Sequence, residues 1–259
     1  MSQHRPRARS LLTTTAALTL LSVVACGTVA NPNPTTLNGV PLEAAPFVVE
    51  PVARLGEPWA AAFLPDGRLR VTEKPGRLRI VTQTGAVAAP VEGVPAVDAG
   101  GQGGLGDVLV HPDFATNGIV YLSYAEAGPD DTRGAAVARA RLVLDDAGSG
   151  RLEDLAVIWR QVPKVTGRGH FGHRLALAPD GHLFITSGER QKFDPAQDMT
   201  GNLGKIVRLR QDGSVPADNP FADRGGVAAE VWTLGHRNPL GIAFDASGRA
   251  NAVLETLAA

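Results

Sequence analysis

A Pro-Asp-Gly phrase set between two apolar stretches recurs along this chain, and it restricts the fold more than any other feature. It stands in Phe63-Leu64-Pro65-Asp66-Gly67-Arg68-Leu69 and returns in Leu177-Ala178-Pro179-Asp180-Gly181-His182-Leu183, with alternating side chains after each. Weaker forms occur at Val110-His111-Pro112-Asp113 and at Phe244-Asp245-Ala246-Ser247-Gly248. Pro fixes φ, Asp bonds to the backbone ahead of it, and Gly takes the positive φ of a tight reversal, so each phrase predicts a β-hairpin. The prolines at 65, 112 and 179 lie 47 and 67 residues apart, and Gly181 and Gly248 are again 67 apart. An antiparallel unit recurring at such intervals, with insertions, predicts an all-β chain of β-propeller type in which each small sheet buries its faces against its neighbours. A sandwich stays open at this point, because spacing does not count blades. The 30 Gly and 19 Pro suit many short strands, and 44% hydrophobic against 20% charged residues supplies a core and excludes wholesale disorder. With 25 basic and 26 acidic residues the net charge is −1, so nothing draws the whole chain to nucleic acid or to an anionic surface.

The amino terminus carries an address. Arg5, Arg7 and Arg9 precede an uncharged stretch from Leu11 to Val24 that is too short for an ordinary membrane span and runs into Val23-Val24-Ala25-Cys26. This resembles a bacterial lipoprotein signal over residues 1–25, with Cys26, the chain's one cysteine, as the lipid-bearing residue. A plain secretory signal with an incidental cysteine, or cleavage elsewhere, is the alternative; either reading predicts export, and the lipidated one a protein anchored in the bacterial cell envelope. Residues 26–46, with Asn31-Pro32-Asn33-Pro34-Thr35-Thr36, have the composition of a flexible linker.

Three segments look chemical. Gly100-Gly101-Gln102-Gly103-Gly104-Leu105-Gly106-Asp107 is either a turn or a place where backbone approaches a ligand beside the amide of Gln102. It lacks the helix and the downstream acidic residue of a dinucleotide fingerprint. Gly169-His170-Phe171-Gly172-His173-Arg174 offers a candidate base in His170, and its two histidines at short spacing also admit a metal reading, without a cysteine set or HExxH in support. Gly235-His236-Arg237-Asn238-Pro239 sets a guanidinium fork and an amide in a constrained turn, which is also what a solvated surface turn looks like.

Taken in order, these phrases resemble the soluble aldose, glucose and sorbosone dehydrogenases that use pyrroloquinoline quinone. The resemblance runs from about Leu55 to Gly248. It includes Pro58-Trp59-Ala60, GQGGL at Gly101 to Leu105, HPDF at His111 to Phe114, GHF at Gly169 to Phe171, LGKIVRL at Leu203 to Leu209, Asp218-Asn219-Pro220-Phe221 and GHRNP at Gly235 to Pro239. It implies a six-bladed β-propeller, of which residues 47–248 hold roughly four blades' worth. It also implies a quinone over the central channel with calcium beside it, an aldose oxidised at C1 to its lactone, and an external electron acceptor. His170 matches the base, Gln102 a polar residue of the cavity, and Arg237 and Asn238 the pair that contacts the quinone.

The sequence departs from the family's pattern in three places. His173 stands in a GGRL-like stretch where the family carries a small residue, and Leu240 stands where the family carries Gln. After Gly248 the family continues into an EHGPxGxDE loop that supplies the calcium ligands, whereas residues 249–259 are Ala-rich with Val253, Leu254 and Leu257 at helical spacing. These residues therefore read as a non-family tail on a truncated product, whose open sheet edges would invite self-association. Two function classes follow: a membrane-tethered quinoprotein sugar dehydrogenase, or a non-catalytic propeller fragment that binds carbohydrate or another protein. A propeller lactonase fits less well, since these motifs supply no metal constellation.

Overall fold

The computed structural model describes residues 48–245 and 247–254, together with the strands at 36–37 and 40–41. The chain divides into two compact units, Met1–Pro51 and Val52–Ala259. In the first, β1 (Thr36–Leu37) pairs antiparallel with β2 (Val40–Pro41) inside the span read as flexible linker. The intervening Asn38-Gly39 is the dipeptide that favours a two-residue hairpin, a signal that the linker composition concealed. The leader and Cys26 lie outside the described residues.

The second unit is a series of antiparallel meanders. Strands β3 (Pro58–Phe63), β4 (Leu69–Glu73) and β5 (Arg77–Val81) form a three-stranded sheet. Strands β6 (Leu105–Val110), β7 (Ile119–Ala127), β8 (Arg133–Leu144) and β9 (Gly150–Arg160) form a four-stranded one. The next sheet, also of four strands, is β10 (Gly172–Leu177), β11 (Leu183–Ser187), β12 (Lys205–Leu209) and β13 (Val231–Leu234). A final pair joins β14 (Pro239–Phe244) to β15 (Ala250–Leu254). Strand β15 corrects the helical reading of the tail: from Ala250 to Leu254 the chain runs antiparallel to β14, in register from Phe244↔Ala250 to Gly241↔Val253, with a register shift before Pro239↔Leu254. Pairing to an apolar neighbour strand outweighs the weak helix preference of a few alanines.

Each recurring phrase turns the first strand of a sheet into its second. At Asp66, Asp180 and Asp245 the carboxylate accepts the N–H two residues on, from Arg68 at 3.0 Å, His182 at 3.1 Å and Ser247 at 2.9 Å. In the β6–β7 connection a short helix, α1 (Phe114–Asn117), replaces the tight turn and closes on left-handed Gly118.

The sheets stack face to face. Alternation along β7 sends Leu122 and Tyr124 into a core shared with Leu78 and Ile80 of β5, and Tyr121 and Ala125 into a second core shared with Leu183, Ile185 and Val207 of the following sheet. Small residues on β8 face the large ones on β7, with Tyr124 opposite Ala136 and Leu122 opposite Ala138, so a sheet buried on both faces still packs closely. The first strands lie side by side, β6 against β3 and β10, and β10 against β14. Successive meanders with adjacent first strands make this fold a β-propeller.

Candidate active site

Since the first strands lie side by side, the residues at their N-terminal ends come together. Trp59 is the second residue of β3, Gln102 precedes β6, His170 and Phe171 lead into β10 with His173 as its second residue, and Asn238 precedes β14. Side chains tie these ends laterally. Thr72 Oγ1 donates to the Gly106 carbonyl at 2.6 Å, Leu175 N–H to Asp107 Oδ2 at 3.0 Å, and Thr186 Oγ1 to the Pro239 carbonyl at 3.0 Å.

The glycine-rich run is a packed element here. Gln102 N–H donates to the Arg168 carbonyl at 2.8 Å, and a Cβ on Gly101 (φ +58) would meet that oxygen at 2.6 Å. In return, Gln102 Oε1 accepts the backbone N–H of His170 at 2.7 Å. The run and the histidine segment, distant in sequence, are one structure.

His170 is buried, in the left-handed region at φ +50, with Nδ1 hydrogen-bonded to Glu189 Oε1. Glu189, also buried, follows β11 and was not singled out from the sequence. Its Oε1 also accepts Gln191 N–H at 2.9 Å, and its Oε2 accepts the N–H groups of Lys192 and of Phe193, the latter at 2.5 Å. Burial alone would raise the Glu189 pKa, but the bonds from His170 and from these three amides outweigh it and hold the carboxyl below its ordinary range. Arg190 braces the same loop from beneath. Its guanidinium donates to the carbonyls of Gly169 at 2.8 Å, Gly167 at 2.6 Å and Arg133 at 2.5 Å, and it stacks 3.8 Å from the Phe171 ring centre. Burial lowers its pKa to about 10, so it stays charged at neutral pH. Left-handed backbone at His170, His173, Arg190, Gln191 and Phe193 is strain concentrated on these two loops.

A cavity of about 120 Å³ opens beside this pair, lined by Trp59, Phe171 and His173 together with Gln102, Asn238 and Leu240. His170 and Arg237 are not in its lining; they stand next to residues that are. His173 is buried, bonded through Nδ1 to Ser123 Oγ at 3.1 Å, and nearly parallel to Trp59 at 6.4 Å between ring centres. Burial first, then the charges of Arg174 and Arg190, push its pKa down to about 3, so it is neutral. Asn238 is buried and accepts the Gly172 N–H at 3.1 Å, while the carbonyl of the half-buried Arg237 accepts the N–H of Glu189 at 2.8 Å. Hydrogen bonds thus run from Gln102 to His170, from His170 to Glu189 and from Glu189 to the main chain of Arg237, while Asn238 bonds to Gly172, two residues after His170.

The two histidines do not share a ligand position, since one ring turns to Glu189 and the other to Ser123. Among the described residues no three His, Cys, Asp or Glu side chains gather as a metal site. Lys205 of the LGKIVRL phrase is structural: its ammonium caps the carbonyls of Pro195, Ala196 and Leu203 within 3.1 Å.

Comparison with known proteins places this geometry. The family model for glucose/sorbosone dehydrogenases matches residues 55–253, reaching past Gly248 through most of β15. The aldose sugar dehydrogenase YliI of Escherichia coli K12 is 44% identical over 193 residues, which is 74% of this chain and 51% of that one. Quinoprotein glucose dehydrogenase B of Acinetobacter calcoaceticus is 30% identical over 223 residues, 76% of this chain and 46% of that one. The PQQ-bound aldose sugar dehydrogenase of Streptomyces coelicolor superposes with a TM-score of 0.69 at 31% identity, covering 80% of this chain and 59% of that structure. The chain spans about half the length of the curated relatives it matches. With its motifs, meander sheets and site network all falling inside the matched span, the chain belongs to the glucose/sorbosone dehydrogenase family.

Proposed function

We propose that the protein acts as a quinoprotein sugar dehydrogenase, oxidising an aldose at C1 to its lactone. The observation that carries this reading is the His170–Glu189 pair, held by Gln102 at the edge of an aromatic-walled cavity. A carboxylate on Nδ1 orients the imidazole, the side-chain type best suited to take the proton of an anomeric hydroxyl. The lining suits pyrroloquinoline quinone: the aromatic rings suit a flat ring system, and the amides of Gln102 and Asn238 suit its oxygens, with Arg237 one residue from the lining. When bound, that cofactor supplies the hydride acceptor. The protein's own part is to hold the sugar against the wall, orient its C1 hydroxyl and accept the proton at His170, after which electrons leave to an external acceptor. No side-chain cluster among the described residues is assigned to calcium, and no step depends on it.

We further propose that the mature protein is exported and anchored to the cell envelope through a lipid on Cys26. That reading rests on the basic, apolar and small-residue order of the leader. Cys26→Ser should release the protein from the membrane fraction.

The enzymatic reading is tested by titrating the protein with pyrroloquinoline quinone and calcium and following aldose-dependent dye reduction. Saturable reduction that falls by roughly 10²- to 10⁴-fold in His170→Ala, with cofactor binding retained, supports it. Cofactor binding without any aldose-dependent reduction favours a non-catalytic binding role instead.

A further inference from the structure

Ser123, His173 and Gly106 form a device that the proposed reaction does not use. Ser123 is fully buried and its Oγ accepts the Asp107 N–H at 2.7 Å; its hydroxyl proton needs an acceptor, and among the described residues the one in reach is His173 Nδ1 at 3.1 Å. An imidazole that accepts at Nδ1 and is neutral carries its proton on Nε2. That nitrogen has no protein partner among the described residues, and the ring lines the cavity. Gly106 makes room for this arrangement: a Cβ there would lie 2.1 Å from His173 Cε1 and 2.3 Å from Nδ1. The nearly parallel Trp59 ring, at 22°, extends the wall beside the donor.

We propose that His173 presents its Nε2–H to a carbonyl or hydroxyl oxygen of a ring bound against Trp59, and so helps select what the cavity takes. This rests on the dehydrogenase reading, under which the oxygen belongs to the quinone cofactor or to the sugar. Because its tautomer is fixed from behind, the ring favours an acceptor over an ammonium or another donor.

The test follows the full chain with isotope-labelled histidine by NMR while pyrroloquinoline quinone, and then an aldose, is added. The expected result is an Nε2–H tautomer at His173 near neutral pH and movement of that resonance with one of the two probes, which identifies the source of the oxygen. Affinity for that probe should fall about fivefold in His173→Ala, one hydrogen bond's worth, and recover in His173→Gln, which keeps an N–H donor. Ser123→Ala should mix the two tautomers. An Nδ1–H tautomer overturns the assignment, as does probe binding that leaves both the resonance and the His173→Ala affinity unchanged; either result leaves the dehydrogenase reading standing. Binding of neither probe, followed by tryptophan fluorescence, overturns both.

Discussion

At the scale of single residues, neighbours in sequence have divergent chemistry. His170 and His173 are three positions apart and both are buried, yet one faces a carboxylate and the other a hydroxyl. His173 binds its proton near pH 3 when folded and near its ordinary 6.5 when unfolded. Between those values the unfolded chain holds more protons, so the contribution of His173 to stability is complete above about pH 6.5 and is lost as pH falls toward 3. His173→Gln, which does not titrate, should flatten the acid-side decline by on the order of 1 kcal/mol per pH unit within that window. Urea midpoints measured at several pH values check this, and an acid limb as steep as that of the parent protein would refute it.

At the scale of elements, the first hairpin of each sheet sets the register for the strands beyond it. In the β10–β11 turn Gly181 sits at φ +85 with its nearest neighbour, Gln211 Nε2, 3.6 Å from where a Cβ would be. Space is available there, so the cost of Gly181→Ala comes from the backbone. We expect a loss of about 1 kcal/mol in stability, with an unchanged dependence on denaturant. Equilibrium urea unfolding reads this directly, and a neutral substitution would mean that the turn relaxes out of the left-handed region. The short connection leaves each first strand free to lie beside its neighbours, which is what gathers the ends that carry the site.

At the scale of the whole molecule, the sheets depend on each other for burial. Ile185 of β11 is fully buried in the core that also takes Tyr121 and Val137 from the preceding sheet. Ile185→Ala should cost about 2–5 kcal/mol, the usual range for emptying such a position. Because that core is shared, amide exchange should accelerate in β7 and β8 as well as in β11. Acceleration confined to β10–β13 would show instead that the sheets open independently.

Much of this was legible in the chain itself. The Pro-Asp-Gly phrases marked hairpins because proline, aspartate and glycine act on the few bonds around them, and four candidate site residues could be named from short motifs once their order pointed to a family. Glu189 could not be, because Ser187-Gly188-Glu189-Arg190 carries no pattern of its own, and its role exists only where three amides and an imidazole converge on it. The last strand was misread for a related reason, since Ala250 and Ala252 have a local preference that pairing with β14 overrides. Turns and hydrophobic alternation are short-range properties and can be read along the sequence. The cavity, the charge state of His173 and the partnership of His170 depend on desolvation and on contacts across sheets, so only the tertiary structure decided them.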